Sequence, residues 1–531
     1  PPLLIPRPPR STLRSTRRQR QMCIRDRAKA LDETADGSRA QVRFVTMDSP
    51  QNSAVRSFEM DRVWFPVTRC ARNDETGVWP CQELGPGPEP EPPQSGSTKL
   101  TEYDDPRVAA IAASLVVVTF DLPYTVSGVA DRHYYGTGII VDKERGLVLV
   151  DRNTVPVAIG DVSVTFAGSL EVDAKVEQLH PVHNLAIVSY DPKSIGDTPV
   201  RNARFNTEPL RAGDNVLVVG IKGDHQLVHQ ESTVSAVEPL IMPLSRTLRF
   251  RDANIEGIDL VNSMDVDGVL VDKRGRVSAR WSSFAVQTGG ESAQFNRGVG
   301  ADLVKEFVDL VRNNRTYYSL EAEFVYSPLF AARNRGVDEE WIAKLENNNP
   351  VFRRALSITR LVAGTPAAKL LKNGDFVLAI DGKVVTSFRE VEKAVQKEEV
   401  TVTVWRNGEA SEIEVATAAL DTRGIDRAVS WAGALLQDPH RAMAAQRGIE
   451  PDGVYVAFFS YGSPATRYGL WAGRRLVEVD ETPTPSLQAF VDAIAGKKDQ
   501  ASVRLKTVTW NGAVEVITLK LDNQYWPAYE I

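Results

Sequence analysis

The feature that most constrains this 531-residue chain is a repeat in its C-terminal third. "GTPAAKLLKNGDFVLAIDGKVVTSFREVEKAV" begins at Gly364, and "GSPATRYGLWAGRRLVEVDETPTPSLQAFVDAI" begins at Gly462, 98 residues later. Each copy reads Gly-Ser/Thr-Pro-Ala, a short helix, a glycine turn, a strand, a second turn and a capped helix. A unit repeated at this period demands two like modules, so the chain cannot close around a single core. Ser387 with Glu390 has the spacing of a capping box, and Ser486 takes the capping place in the second copy. Phe388, Val391 and Val395 give the first capped helix an apolar face; Leu487, Phe490, Val491 and Ile494 do the same in the second. Paired strands follow each helix, with "RNG" and "WNG" marking hairpin turns.

Upstream the pattern changes. From Thr101 to Asn314 short strands succeed one another ("SLVVVTFDL", "GTGIIVD", "GLVLVD", "DVSVTF", "LAIVSYD", "NVLVVG", "GVLVD"), which predicts an all-β barrel or sandwich. "ADLVKEFVDLVRNN" closes the block, and Leu303, Phe307, Leu310 and Val311 fall at helical spacing. "GPGPEPEPPQSGS", Gly85 to Ser97, cannot pack a core and reads as a linker. Before it, "QVRFVTM" and "DRVWFPV" read as short strands. The chain opens "PPLLIPRPP" without a Met, and is expected to be a fragment. Its basic start, rich in arginine and nearly free of acids, fits a transit peptide or a nuclear-localisation run. "QMCIRDR" resembles translated adapter sequence, so residues 1–29 are set aside as an artefactual segment with no function.

Composition excludes several classes. The chain is 42% apolar and 25% charged, with a formal net charge of −6. Without its first 29 residues it is more acidic still, and no basic-aromatic surface stands out, so nucleic acid is not an expected partner. No run approaches the roughly 18 consecutive apolar residues of a membrane helix. Cys23, Cys70 and Cys81 are too few for a disulfide framework and favour a reducing compartment. Cys70 and Cys81 could pair or share a metal, but two ordinary thiols are expected.

The repeat resembles the PDZ domain of HtrA/Deg-type serine proteases. "NGDFVLAIDGKVV" matches that family's Gly-Asp turn and following strand, whereas the second copy departs with Gly473-Arg474 in place of Gly374-Asp375. "YYGTGIIVD", "GLVLVDRN", "HPVHNLAIVSYD" and "GVLVDKRGRV" come in the order of a Deg-type trypsin-like domain. "WAGALLQDPHRA", "GVYVAFFSYGSPATRYGL" and "YWPAYEI" extend the resemblance to large Deg proteins with two protease halves, over roughly residues 40–531. The resemblance implies a mainly β chain with α+β modules: a degenerate trypsin-like double β-barrel followed by two PDZ domains. The boundaries are residues 30–84, the tail of a preceding PDZ-type region; 85–100, linker; 101–316, barrel; 317–420 and 421–531, PDZ domains. It points to nucleus or plastid as compartments.

Serine protease chemistry needs a hydroxyl nucleophile, a histidine base, a carboxylate orienting that base, and N–H donors aimed at the oxyanion. By the resemblance the base falls in "GLVLVDRNTV", where Asn153 stands, and an amide cannot take and return a proton near neutral pH. The orienting position before "LAIVSY" is Asn184, and the nucleophile position before "GVLV" is Val266. All three slots are filled by side chains that cannot substitute, so the barrel is expected to be a pseudoprotease. The unaligned alternative is Ser263 with His183 and Asp191. His133, His180 and His183 are read as turn or surface histidines, since "HPVH" lacks a third ligand at recognisable spacing; no metal or cofactor is expected.

PDZ domains bind an extended peptide as an added strand, with loop N–H groups holding its terminal carboxylate. In the second copy Trp431, Ala432, Gly433, Ala434 and Leu435 of "WAGALL" are the candidate loop. In the first copy Tyr326, Ser327 and Leu329 of "YSPLF" are the candidates, although Pro328 removes a donor. The terminal "YEI" is itself a PDZ-ligand type, which makes self-docking an alternative. The resulting expectation is the non-catalytic C-terminal half of a large HtrA/Deg-like protease, binding peptides or unfolded proteins and self-associating with protease protomers. The alternatives are an active endopeptidase and a holdase-type chaperone.

Overall fold

The computed structural model describes residues 30–45, 53–62, 64, 67–83, 85, 87–89, 95–126, 129, 131–242, 252–288 and 291–531, so residues 1–29 lie outside it. The chain divides into two units, Pro1–Gln94 and Ser95–Ile531.

In the first unit, β1 (Arg39–Val45) pairs antiparallel with β2 (Ser53–Glu59), and β3 (Thr68–Cys70) with β4 (Cys81–Glu83). "QVRFV" is the strand expected there. "DRVWFPV" is not a strand where it is described: Asp61 accepts from the backbone N–H of Trp64, and this local side-chain bond makes a turn. The expectation of two ordinary thiols is also corrected. Cys70 and Cys81 face each other across β3 and β4, with Cα atoms 4.0 Å apart, and are joined in a disulfide. The cysteine count therefore carries no argument for a reducing compartment.

The second unit begins with residues 95–100, read above as linker, bonded along a barrel: Gly96 donates to the Ser194 carbonyl and Thr98 to the Thr198 hydroxyl. Helix α1 (Pro106–Ala112), capped by Asp105, leads into two closed six-stranded barrels. The first contains β5 (Leu115–Asp121), β6 (His133–Asp142), β7 (Leu147–Val150), β8 (Asp161–Phe166), β9 (Leu170–Leu179) and β10 (Ala186–Tyr190). The second contains β11 (Asn215–Ile221), β12 (Leu227–Pro239), β13 (Glu256–Leu260), β14 (Gly268–Val271), β15 (Val277–Thr288) and β16 (Glu291–Gly300). One apolar core runs between them, from Ile139 and Leu149 to Leu217 and Val271, and continues under α2 (Ala301–Arg312). Leu303, Phe307, Leu310 and Val311 are all buried, as their helical spacing predicts. Burying such side chains is worth about 1.5–3 kcal/mol each, which fixes α2 across the seam.

The first PDZ-like module comprises β17 (Tyr317–Ser319), β18 (Ala322–Pro328), α3 (Leu329–Asn334), α4 (Glu339–Asn348), β19 (Arg354–Leu361), α5 (Pro366–Leu370), β20 (Phe376–Ile380), β21 (Lys383–Val384), α6 (Phe388–Ala394), β22 (Glu399–Arg406), β23 (Glu409–Ala416) and β24 (Ala418–Leu420). The second comprises β25 (Val429–Trp431), β26 (Ala434–Gln437), α7 (Arg441–Arg447), β27 (Val454–Phe459), α8 (Pro464–Tyr468), β28 (Arg475–Val479), β29 (Thr482–Pro483), α9 (Leu487–Ile494), β30 (Ser502–Val508), β31 (Val514–Lys520) and β32 (Tyr529–Glu530).

The repeat is visible residue by residue. Ser387 and Glu390 form the full capping box on α6, and Ser486 accepts from the Ala489 N–H on α9. Thr365 and Ser463 cap the short helices α5 and α8. Asn407 and Gly408, both at positive φ, make a two-residue turn between β22 and β23. Its counterpart is the longer loop Thr509–Ala513, closed by the Thr509 N–H on the Ala513 carbonyl. The departure at Gly473-Arg474 is a charge reversal: Asp375 pairs with Arg406 in the first module, and Arg474 with Glu515 in the second, each at 2.5 Å. The turn-to-hairpin tie survives with its polarity inverted.

Candidate functional site

The three residues expected to occupy the protease positions, Asn153, Asn184 and Val266, lie where the two barrels meet. Asn153 sits in the turn after β7 and Asn184 in the turn before β10, both on the first barrel. Both amides reach Ser283 on β15 of the second: Asn153 Nδ2 donates to its hydroxyl at 2.8 Å, and Asn184 Nδ2 to its carbonyl at 2.7 Å. The two sequence-predicted slots are thus brought together, and each carries an amide engaged as a donor. Asn184 Oδ1 is buried with no hydrogen-bond partner among the described residues, and no imidazole is there to donate to it. Val266 precedes β14 as an apolar side chain.

The turn carrying Val266 is organised by charge of the wrong sign for an oxyanion. Asp267 Oδ2 accepts from the Thr137 N–H at 2.8 Å and from Arg280 at 2.8 Å, while its carbonyl accepts from the Thr137 hydroxyl. Arg280, fully buried on β15, also donates to the Gly268 carbonyl at 2.5 Å and reaches Asp151 at 3.5 Å. Asp151 in turn accepts from Thr154 and from the Ser283 N–H. Burial pushes the Asp267 carboxyl up from its usual range, with the Asp151 charge adding to the shift and Arg280 opposing it. The turn's carbonyl at Met264 is fixed by the Trp281 indole N–H at 3.0 Å. Asp151, Arg280 and Asp267 thus form one charged cluster across the two barrels, in which Arg280 Nε has no hydrogen-bond partner among the described residues. Sequence reasoning passed over it; an arginine inside the apolar run "VSARWSSFAV" was the available signal.

The unaligned set is not assembled. His183 Nε2 bonds Glu392 at 2.7 Å, and its Nδ1 is buried without a hydrogen-bond partner among the described residues. Asp191 caps a 3-10 turn through the Lys193 N–H, and Ser263 is exposed in the loop before Val266. His133 is exposed and pairs with Asp121, but the surface reading of His180 and His183 is corrected: each is 2% exposed.

The third member of that cluster, Glu392, comes from α6 of the first module, 209 residues from His183. Together the three offer ligand atoms within 4.8 Å of one another. Glu392 and His180 Nδ1 already have protein donors, whereas His183 Nδ1 has none among the described residues. Glu392 takes hydrogen bonds from His183, Tyr317 and Arg389, and His180 Nδ1 accepts the N–H groups of Val182 and His183. Burial works to raise the Glu392 carboxyl, but the charges and hydrogen bonds of His183 and Arg389 outweigh it and hold the group well below the usual range. His180 is held neutral, chiefly by burial and then by His183. With the Arg389 cation already on the carboxylate, the cluster ties the barrel to the module.

The two candidate peptide sites differ. In the first module Tyr326, Ser327 and Pro328 belong to β18, paired with β19, and Leu329 is buried at the start of α3, so "YSPLF" is a strand end and not a loop. Beside β18 lies α6; the Tyr326 ring stacks on Phe388 at 4.2 Å. In the second module Trp431, Ala432, Ala434 and Leu435 are all buried. Ala432 and Gly433, at φ 52° and 80°, form a two-residue turn that folds β25 back onto β26. A Cβ on Gly433 would meet Ser463 at 2.1 Å, so only glycine closes the turn. Trp431 then lies edge-on to Phe490 of α9 at 5.3 Å. The chain's own β25 therefore fills the space between β26 and α9, and β32 pairs along its outer edge, Val429 opposite Glu530. The terminal "YEI" thus docks within the chain as a strand, helped by the Arg427–Glu530 ion pair.

A family profile described as "PDZ domain" matches residues 357–406. The chain is 34% identical over 479 residues to "Protease Do-like 7" of Arabidopsis thaliana, covering 82% of this chain and 44% of that protein. It is 30% identical over 488 residues to "Pro-apoptotic serine protease nma111" of Neosartorya fischeri, covering 89% and 47%. It spans about half the length of these curated relatives. Among solved structures it is similar to "HtrA-type protease AlgW with decapeptide", with 16% identity, a TM-score of 0.41, and coverage of 59% of this chain and 98% of that one.

Proposed function

We propose, from the premise that this chain belongs to the HtrA/Deg-type serine protease family, that its double barrel is a catalytically empty support. On this reading its PDZ modules hold extended peptides or unfolded segments without cutting them. The observation that carries the reading is the pair of amides at 153 and 184, both spent on Ser283, beside the Asp267 carboxylate. Among the described residues no set of base, nucleophile and oxyanion donors comes together there. The β18–α6 cleft of the first module is the addressable peptide site, because β25 already lies in the corresponding space of the second. In a parent protein of twice this length, the barrel would serve assembly with proteolytic protomers and presentation of bound segments.

The test uses the full chain and a library of fluorescein-labelled decapeptides randomised over their last four residues. Saturable binding is expected, with every peptide recovered intact by mass spectrometry. Hydrolysis at any peptide bond, or no binding even when the β18 edge is freed by substitution, contradicts the proposal.

A further inference from the structure

We infer that the peptide cleft of the first module is held shut by the barrel, with the Asn254 side chain standing where an added strand would bond. The inference rests on the β18–α6 cleft being the peptide site. Among the described residues β18 is the outermost strand of its sheet, with β19 on one side and no strand on the other. An open edge of this kind is what an extended peptide pairs with. Here the edge is taken. Asn254 Nδ2 donates to the Ala322 carbonyl at 2.7 Å, and its Oδ1 accepts from the Phe324 N–H at 2.8 Å. These two backbone groups flank Glu323 and point out of the same edge, so one amide side chain takes a donor and an acceptor that an incoming strand would use.

The barrel segment is shaped for this. Asn254 sits at φ 54°, a left-handed conformation that asparagine tolerates better than most residues. Two residues on, the Glu256 carboxylate accepts from the Tyr326 hydroxyl at 2.8 Å and from Arg354 at 2.6 Å, tying down the far end of β18. The opposite wall of the cleft, α6, is tied by Glu392 to His183. Both walls are thus fastened to the barrel. Between them remains a cavity of about 30 Å³, lined by Phe324, Phe388 and Val391 with Ala253, Asn254 and His183. A space of that order takes a water or two, and no extended chain fits it. Peptide and barrel segment compete for the same edge, so binding at β18 requires Ala253 and Asn254 to withdraw.

The same decapeptide library tests this on the full chain. Asn254→Gly keeps the left-handed backbone without strain and removes the plug. It is expected to bind at least tenfold more tightly than the parent, since ligand affinity scales with the fraction of open clefts. Asn254→Asp retains the acceptor for Phe324 but loses the donor to Ala322, and should fall between the two, which keeps the test available if the glycine variant folds poorly. Equal affinity in parent and variants overturns the latch while leaving the peptide reading intact. Absence of binding in all of them overturns both.

Discussion

Replacing Arg280 by methionine is expected to destabilise the barrel unit by about 3–5 kcal/mol, the cost of breaking a buried ion pair from one side. Arg280 is fully buried and holds Asp267 at 2.8 Å, Asp151 at 3.5 Å and the Gly268 carbonyl. Methionine fills similar space but leaves the buried Asp151 and the largely buried Asp267 carboxylates without their shared cation. The loss should depend on pH in a defined direction. Burial and the Asp151 charge already place the folded-state Asp267 carboxyl above its usual 3.8. A carboxyl raised in the folded state holds an extra proton there, so its contribution to stability falls as pH rises through the window between the two values. Without Arg280 that shift grows, so the variant's deficit should be largest near pH 8 and shrink toward pH 5. Asp267→Asn added to the variant should recover part of the loss. Urea unfolding of parent, single and double variants across that range measures all of this. A deficit below about 1 kcal/mol and flat in pH would mean the Asp-Arg-Asp centre does not pin the two barrels.

Trp431→Ala is the second large effect, also about 3–5 kcal/mol, from a cavity left beside Phe490. Trp431 is 2% exposed and anchors β25, which in turn carries the terminal strand β32. The chain is multidomain, so the loss should show as a calorimetric transition of the second module moving down by itself while the barrel transition stays in place. If instead the "WAGALL" segment were a ligand-gripping loop, the variant would leave that transition unmoved and weaken peptide binding. The two outcomes separate a filled cleft from an open one.

Much of this architecture is readable from the residues because its signals are local. Capping residues at 387 and 486, the Asn-Gly turn at 407–408 and the 3.6-residue spacing along α2 each act within one or two turns of chain. The positions of Asn153 after β7 and Asn184 before β10 are legible for the same reason, each being tied to the strand beside it. What escaped the sequence depends on long-range closure. Glu392 joins His183 from 209 residues away, so no spacing rule could supply the missing member of "HPVH". Asp267 lies in the turn before β14 and Arg280 on the neighbouring β15, and only the fold shows that their charges meet Asp151 from the other barrel. "WAGALL" reads equally as a carboxylate loop or a tight turn; Gly433 suits both. What decides it is the packing of Trp431 against α9. The Cys70–Cys81 bridge is not legible from a cysteine count because pairing depends on strand register.

The central claim is that this barrel carries no catalytic serine, and a fluorophosphonate probe addresses it most directly. Such a reagent phosphonylates a serine only where a base has activated its hydroxyl. The purified chain, incubated with excess probe alongside trypsin as a positive control, is predicted to show no labelling in the gel or by peptide mass mapping. Stoichiometric labelling of Ser263, or of Ser283 between the two asparagines, would contradict the account.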